Sequence, residues 1–401
     1  MRYIKFSFFI LFAIMLGYSF AMVLGDSDSS SAIPEYASPV CDSSSMVSLK
    51  NQKLELSLSL LKNNIEKTED NFIVSPFSFY IMADLLANGA KGETLQKLQE
   101  KILDKKGEYS LEDINRAVEC EMKELSSAAE INNSIWGNNV NVGYKKIIAP
   151  LSVDIFKLPS NTNKINKWIK KKTHGMVTNM FASGSTSVTD LFLVNTVYFK
   201  DKWYKPFDKE NTEIKNFYSL YDLNPTIVNM MYLSDDAIAY YENDKFQAIR
   251  LLYEKGDYID IILPREEVDF KKFVQDLEIN DLDVRYEYKN VNVSIPKFET
   301  EYKFSLNDFM KQLNVPIFND DENVDFSVMC SQCSVKKIAQ QATIRLDEEG
   351  TVAAAVTEGD CVFGIENDWE TPKNFNANRP FVYIINDGLF VGVYMQGKMF
   401  E

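Results

Sequence analysis

Histidine is nearly absent. The 401-residue chain holds one, His174, which excludes a histidine-built metal centre and leaves acid–base chemistry few candidates. Basic residues are in deficit too: 43 Lys and Arg against 58 Asp and Glu give a formal net charge of −15. That balance repels phosphate backbones and anionic lipid, so no nucleic acid and no membrane is expected as a partner. Linkers, repeats and low-complexity blocks are missing after residue 46, so one large domain is the simplest division. With 45% hydrophobic and 25% charged residues the composition is that of a folded soluble protein. It excludes a disordered tail, a collagen-like fibre and a multi-span membrane protein. Nothing points to a hydrolase: no enzyme activity, no cofactor and no metal is expected.

The first 25 residues stand apart. Arg2 and Lys5 precede an apolar run from Phe6 to Leu24, and Asp26-Ser27-Asp28 follow at once. This reads as a signal peptide over 1–25, cleaved after Ala21 or Gly25, and predicts a secreted, extracellular protein. Loss of Arg2 and Lys5 makes the mature chain more acidic still. Residues 26–46, rich in Ser, Asp and Pro, read as a flexible extension, and 47–401 as the domain.

Five cysteines, 41, 120, 330, 333 and 361, are an odd number for an oxidising compartment, so one thiol stays free or pairs between molecules. Cys330 and Cys333 have C-x-x-C spacing without the second pair or the histidines a zinc site needs. They read as two loop cysteines bridged to each other. Glycosylation sequons stand at Asn132 and Asn292.

Helical spacing runs through Leu54, Leu58, Leu61 and Ile65, though Leu54–Leu60 also alternates with period two. It recurs over Phe79–Leu86 and Ile114–Leu125. Strand-like runs follow at Leu191–Phe199, Tyr258–Leu263, Val291–Ile295, Phe381–Ile385 and Leu389–Tyr394, the last two joined by the turn residues Asn386-Asp387-Gly388. Helices crowd the first half and strands the second, an α+β layout.

Between the strand-like Thr343–Leu346 and Phe381 lies an unusually long segment. Positions 351, 353, 355 and 357 are Thr, Ala, Ala and Thr, and Glu358 and Asp360 fall on the alternate set. As a strand this stretch offers one uncharged face to a core and the other to water. A segment that suits either loop or strand is what a two-state switch requires.

At this point the sequence resembles a serpin along nearly all of the mature chain. Asn71-Phe72-Ile73-Val74-Ser75-Pro76-Phe77-Ser78, Gly89-Ala90-Lys91-Gly92-Glu93-Thr94, and Ile165-Asn166-Lys167-Trp168 with Thr173-His174-Gly175 resemble family signatures. So do Leu193–Lys200 with Trp203 and Phe207, Ile295-Pro296-Lys297-Phe298, Asp325-Phe326-Ser327 and Arg379-Pro380-Phe381, in the family's order. The hinge Glu348-Glu349-Gly350-Thr351 with its alanine run is the most specific element.

The resemblance implies helices around a five-stranded main sheet, two smaller sheets and an exposed reactive-centre loop over 351–378. A target serine protease cleaves that loop; the loop then enters the sheet and carries the covalently acylated protease with it. The uncleaved fold is thus a kinetic trap, and the molecule acts as a monomer. The hinge, Glu348, Glu349, Gly350, Thr351, Ala353, Ala354, Ala355 and Thr357, needs small side chains, which this chain has. Non-inhibitory members often carry charged, bulky or proline residues there. Ser75, Ser78 and Asn195 match the shutter under the sheet, where Gln340 replaces the family's usual histidine. Lys297 and Glu348, with Trp203 beneath, match the breach where insertion starts. The tail Val393–Glu401 departs from the family's Asn-Pro close.

The usual hinge spacing from Glu348 puts the scissile bond at Gly364–Ile365, and one residue earlier it is Phe363–Gly364. Phe363 suits a chymotrypsin-like pocket and Val362 an elastase-like one. No Lys or Arg occurs between Thr351 and Lys373, which speaks against trypsin-like targets. Glu358, Asp360, Glu366, Asp368 and Glu370 face only Lys373, favouring a protease with a basic rim.

Other readings fail. Gly392–Lys398 has P-loop spacing, but Met399 replaces the required hydroxyl and no room for a helix remains. Asp320, Asp321, Glu322 and Asp325 lack the central glycine and distal glutamate of a calcium loop. His174, beside Lys170–Lys172, reads as a surface residue. The 111–125 region, a family-typical glycosaminoglycan site, carries more Glu and Asp than Arg and Lys, so no glycosaminoglycan partner is expected. A non-inhibitory serpin acting as a carrier or binding protein is the main alternative, supported by Val352, Val356 and the loop length; a cysteine-protease inhibitor is the other.

Overall fold

Helical period wins over period two in the first leucine-rich stretch, because neighbours surround it. Leu54, Leu61 and Ile65 are buried on α1 (Ser43–Ile65), as are the intervening Leu56 and Leu60. The computed structural model describes residues 43–125, 128–175, 177–318, 323–331, 333–351 and 371–400. The expected leader and most of the extension lie outside these. So do Asp320–Glu322 and the loop from Val352 to Glu370, with Ala353, Ala354, Ala355, Thr357, Phe363, Gly364 and Ile365. The helix takes in residues 43–46 of the stretch read as an extension.

The remaining helices are α2 (Pro76–Gly89), α3 (Gly92–Leu98), α4 (Leu111–Glu124), α5 (Val142–Ile147), α6 (Asn163–Lys172), α7 (Phe270–Asp276), α8 (Ile279–Leu282) and α9 (Leu306–Gln312). The strands are β1 (Phe72–Val74), β2 (Ala129–Trp136), β3 (Val153–Phe156), β4 (Asp190–Phe199), β5 (Asp201–Lys202), β6 (Glu213–Phe217), β7 (Thr226–Glu242) and β8 (Phe246–Leu252). They continue as β9 (Tyr258–Pro264), β10 (Glu287–Pro296), β11 (Phe298–Ser305), β12 (Ser334–Asp347), β13 (Gly350–Thr351), β14 (Lys373–Asn376), β15 (Phe381–Ile385) and β16 (Phe390–Tyr394). The hairpin between β15 and β16 turns through Asn386, Asp387 and Gly388, all at positive φ, the conformation for which such residues are suited.

The first sheet runs β3-β2-β4-β12-β13-β5, with β11 also on β12: seven strands, of which β3, β2, β4, β12 and β11 form the main body. β4 and β12 are parallel from Asp190/Ser334 to Tyr198/Thr343. Above that point they part, and β13 occupies the gap between β12 and β5. Helix α6 roofs the seam: Ile165, Trp168 and Ile169 pack against Trp136 of β2, Phe192 and Val194 of β4 and Ala339 of β12.

The second sheet runs β1-β16-β15-β9-β8-β7-β10-β14, with β6 on β7. The two smaller sheets expected from the resemblance are thus hydrogen-bonded into one, because the 17-residue β7 pairs with β6 at its start (Thr226–Met230), then with β10 (Met230–Tyr240), and with β8 at its end. The segment 373–376, read as the end of the exposed loop, is instead strand β14 beside β10. Its Phe375 is fully buried, and Asn374 and Asn376 accept hydrogen bonds from Asn292 and Ser294.

Cys330 and Cys333 are bonded to each other, and Cys120 also forms a disulfide. Gly392 lies in β16, where an added Cβ would strike Tyr383, so the P-loop spacing is coincidental. The Asp325 carboxylate caps its own turn by accepting the Ser327 N–H. No helix among the described residues is long and apolar enough to cross a membrane.

Candidate functional site

The hinge begins where β12 ends. Trp203, just past β5, holds the turn twice: its indole N–H donates to the Asp347 carbonyl (2.8 Å) and its backbone N–H to the Glu349 carbonyl (3.0 Å), while Phe207 N–H donates to the Glu348 carbonyl (2.9 Å). Gly350 then passes so close to β5 that a Cβ would sit 2.3 Å from the Asp201 carbonyl oxygen, at φ 151°. Only glycine fits. Thr351 follows, fully buried, its hydroxyl 2.7 Å from that of Tyr253. Tyr253 is stacked on Trp203, with ring centroids 4.5 Å apart.

Gly350 and Thr351 are therefore already seated antiparallel to β12, between it and β5.

The Glu348 carboxylate, nearly buried, is held by Lys297 Nζ (2.8 Å) and by the Thr212 hydroxyl (2.7 Å). Burial alone would raise its pKa; these two hydrogen bonds outweigh it and hold the carboxyl below its ordinary value. Glu349 pairs with Lys209. Asp347, largely desolvated, is pushed up even though it accepts the Glu349 N–H.

The shutter residues form a row across the middle of the sheet. Asn133, Asn195 and Gln340 are register neighbours on β2, β4 and β12. Asn195 donates to Asn133 (2.9 Å), and Gln340 grips the N-terminus of α2 with both ends of its amide. Its Oε1 accepts Ser75 N–H (2.8 Å) and its Nε2 donates to Ser75 O (2.9 Å). Ser75 also caps α2 by accepting Ser78 N–H. The amide thus makes two bonds at once and, unlike the histidine it replaces, does not titrate. Asn195 Oδ1 and Ser78 Oγ are buried without a partner among the described atoms; each such group costs about 1–3 kcal/mol.

Sequence reading found Glu348, Lys297, Trp203, Ser75, Ser78, Asn195 and Gln340, and the structure brings them into two places, the breach and the shutter. It missed Tyr253, Thr212 and Asn133. Tyr253 and Thr212 stand in irregular segments with no spacing signal, and Asn133 was read only as part of a sequon. The sequons fare differently. The Asn132 amide nitrogen, where a glycan would attach, is buried in β2, while the residue as a whole is half-buried. The exposed Asn292 bonds both Ser234 and Asn374. His174 is exposed as expected, hydrogen-bonded to Glu130 (3.0 Å) with its ring against Tyr198.

A sheet that parts around Gly350 and Thr351 agrees with the sequence comparison, in which the model for "Serpin (serine protease inhibitor)" matches residues 51–401. The chain is a serpin. A "Serine protease inhibitor" of Cyanea capillata is 27% identical to it over 357 residues, 82% of this chain and 92% of the relative. The crystal structure of the thermophilic serpin tengpin in its native state superposes with a TM-score of 0.77 at 26% identity, covering 90% of this chain and 96% of that one. Human thyroxine-binding globulin in complex with its ligand gives 0.75 at 20% identity, covering 86% and 98%. Protease inhibitors and a binding protein thus share this serpin's fold.

Proposed function

We propose that this serpin is a secreted suicide-substrate inhibitor of a serine protease, of chymotrypsin- or elastase-like specificity, and that it acts by loop cleavage and insertion. The seating of Thr351 carries the reading. Its side chain points inward at Tyr253; if β13 lengthens on cleavage, strand parity would turn Ala353, Ala355 and Thr357 to the same inward face and Glu358 and Asp360 outward. Residues that small enter between β4 and β12 without displacing the core. The covalent acyl complex forms at Gly364–Ile365, or at Phe363–Gly364. Secretion is supported by the leader pattern and by the Cys330–Cys333 bond.

The test is incubation with chymotrypsin, elastase and trypsin, followed by denaturing gels and mass spectrometry. A detergent-stable complex with one of the first two is expected, and the released fragment identifies the bond. The fold shared with thyroxine-binding globulin sustains a second reading, a carrier. Cleavage without a complex, and without a gain in thermal stability, would establish that reading and end the first.

A further inference from the structure

We propose that the segment following β16 is a clamp on the breach, acting through Phe400. Its path is tightly set. Met395 and Gln396 N–H both donate to Asn71 Oδ1 (2.7 and 2.8 Å). Gly397 N–H donates to Ser219 Oγ (3.1 Å), at a crossing where a Cβ would lie 2.4 Å from Thr226 Oγ1 and 2.9 Å from the Phe217 side chain. Lys398 N–H then donates to the Tyr394 hydroxyl (3.1 Å). These anchors deliver the Phe400 ring to two cations at once: Lys297 Nζ lies 4.8 Å and the Arg345 guanidinium carbon 4.6 Å from its centroid.

Those two cations are what the clamp acts on. Lys297 is the ion-pair partner of Glu348, the first hinge residue. Arg345 is on β12, opposite Glu299 of β11 and two residues before the hinge turn. An aromatic face attracts both charges without neutralising either, so Lys297 stays free to hold Glu348. One ring thereby braces both the carboxylate's partner and the strand from which the hinge leaves. The brace comes from a segment that belongs to neither strand. For the hinge to advance, the Glu348 turn must give way, and Phe400 opposes that step in the uncleaved protein. The consequence for inhibition rests on the function proposed above; the brace itself does not.

The experiment compares the natural protein with Phe400→Ala and Phe400→Tyr by hydrogen–deuterium exchange in the uncleaved state. Phe400→Ala is expected to speed exchange over residues 345–351 roughly fivefold to tenfold, the size that two partly exposed cation–π contacts carry. Exchange in β2 and β15 should stay unchanged, and Phe400→Tyr should restore natural rates at the hinge. Unchanged exchange at 345–351 in Phe400→Ala would overturn the clamp. So would a rise spread equally over β2 and β15, which would make Phe400 a general packing residue. Cutting the loop and following heat stability provides the separate arm. If the cut natural protein gains none, the inhibitor reading fails, and the exchange comparison still decides the clamp.

Discussion

Tyr253 and Glu348 hold the hinge by different physics, and each supports a prediction at the residue scale. Tyr253→Phe removes the partner of a fully buried Thr351 hydroxyl, at a cost of about 1–2 kcal/mol. Hydrogen exchange at Gly350 and Thr351 should quicken roughly tenfold; unchanged exchange would mean that stacking on Trp203 alone seats the hinge. Glu348 has a depressed pKa, so its contribution to stability is complete above the unfolded value of about 4.3 and is lost as pH falls through the lower folded value. The melting-temperature gap between the natural protein and Glu348→Gln should therefore be largest near neutral pH and close below about pH 4. A gap independent of pH would show that the ion pair contributes nothing. These roles were unequally legible. Glu348 and Gly350 stand in a recognisable motif, but Tyr253 reaches Thr351 only because two segments ~100 residues apart meet, which no local spacing encodes.

At the scale of elements, the seam between β4 and β12 is where the proposed insertion would open the sheet. Polar groups there are in part unpaired, and the amide of Gln340 ties the seam to α2. Replacing it with histidine should give the uncleaved protein a stability change between pH 5 and 7, relative to the natural chain, because imidazole titrates near 6.5 and an amide does not. Identical pH profiles would place the titrating group elsewhere. The hinge gives the complementary test. Under the proposed function, Ala355→Glu would put a charge on the face that enters the core, and the expected outcome is loss of the detergent-stable complex with cleavage retained. The long apolar elements were legible: α2, α4, β4, β9, β10, β15 and β16 match their apolar periodicities. β14 was not, because a four-residue edge strand has too little pattern to stand out from the loop before it, and only pairing with β10 makes it a strand.

For the whole molecule, charge sets how a partner arrives. The net charge is −15, and the loop's five carboxylates, Glu358 to Glu370, are followed by a single lysine, Lys373. Association with a protease of basic rim should slow about tenfold between low and high salt, measured by stopped-flow; a flat salt profile would remove charge from target choice. Composition, the ordered motifs and the alternation of Thr351, Ala353, Ala355 and Thr357 were enough to determine the family, the α+β class and the place where the loop meets the sheet, because these reside in local side-chain types and their period. Tertiary structure alone decided that Thr351 is already seated, that the Asn132 amide nitrogen is buried and that Phe400 reaches the breach. Each depends on which distant segments share a surface, and that is settled by packing across the two sheets.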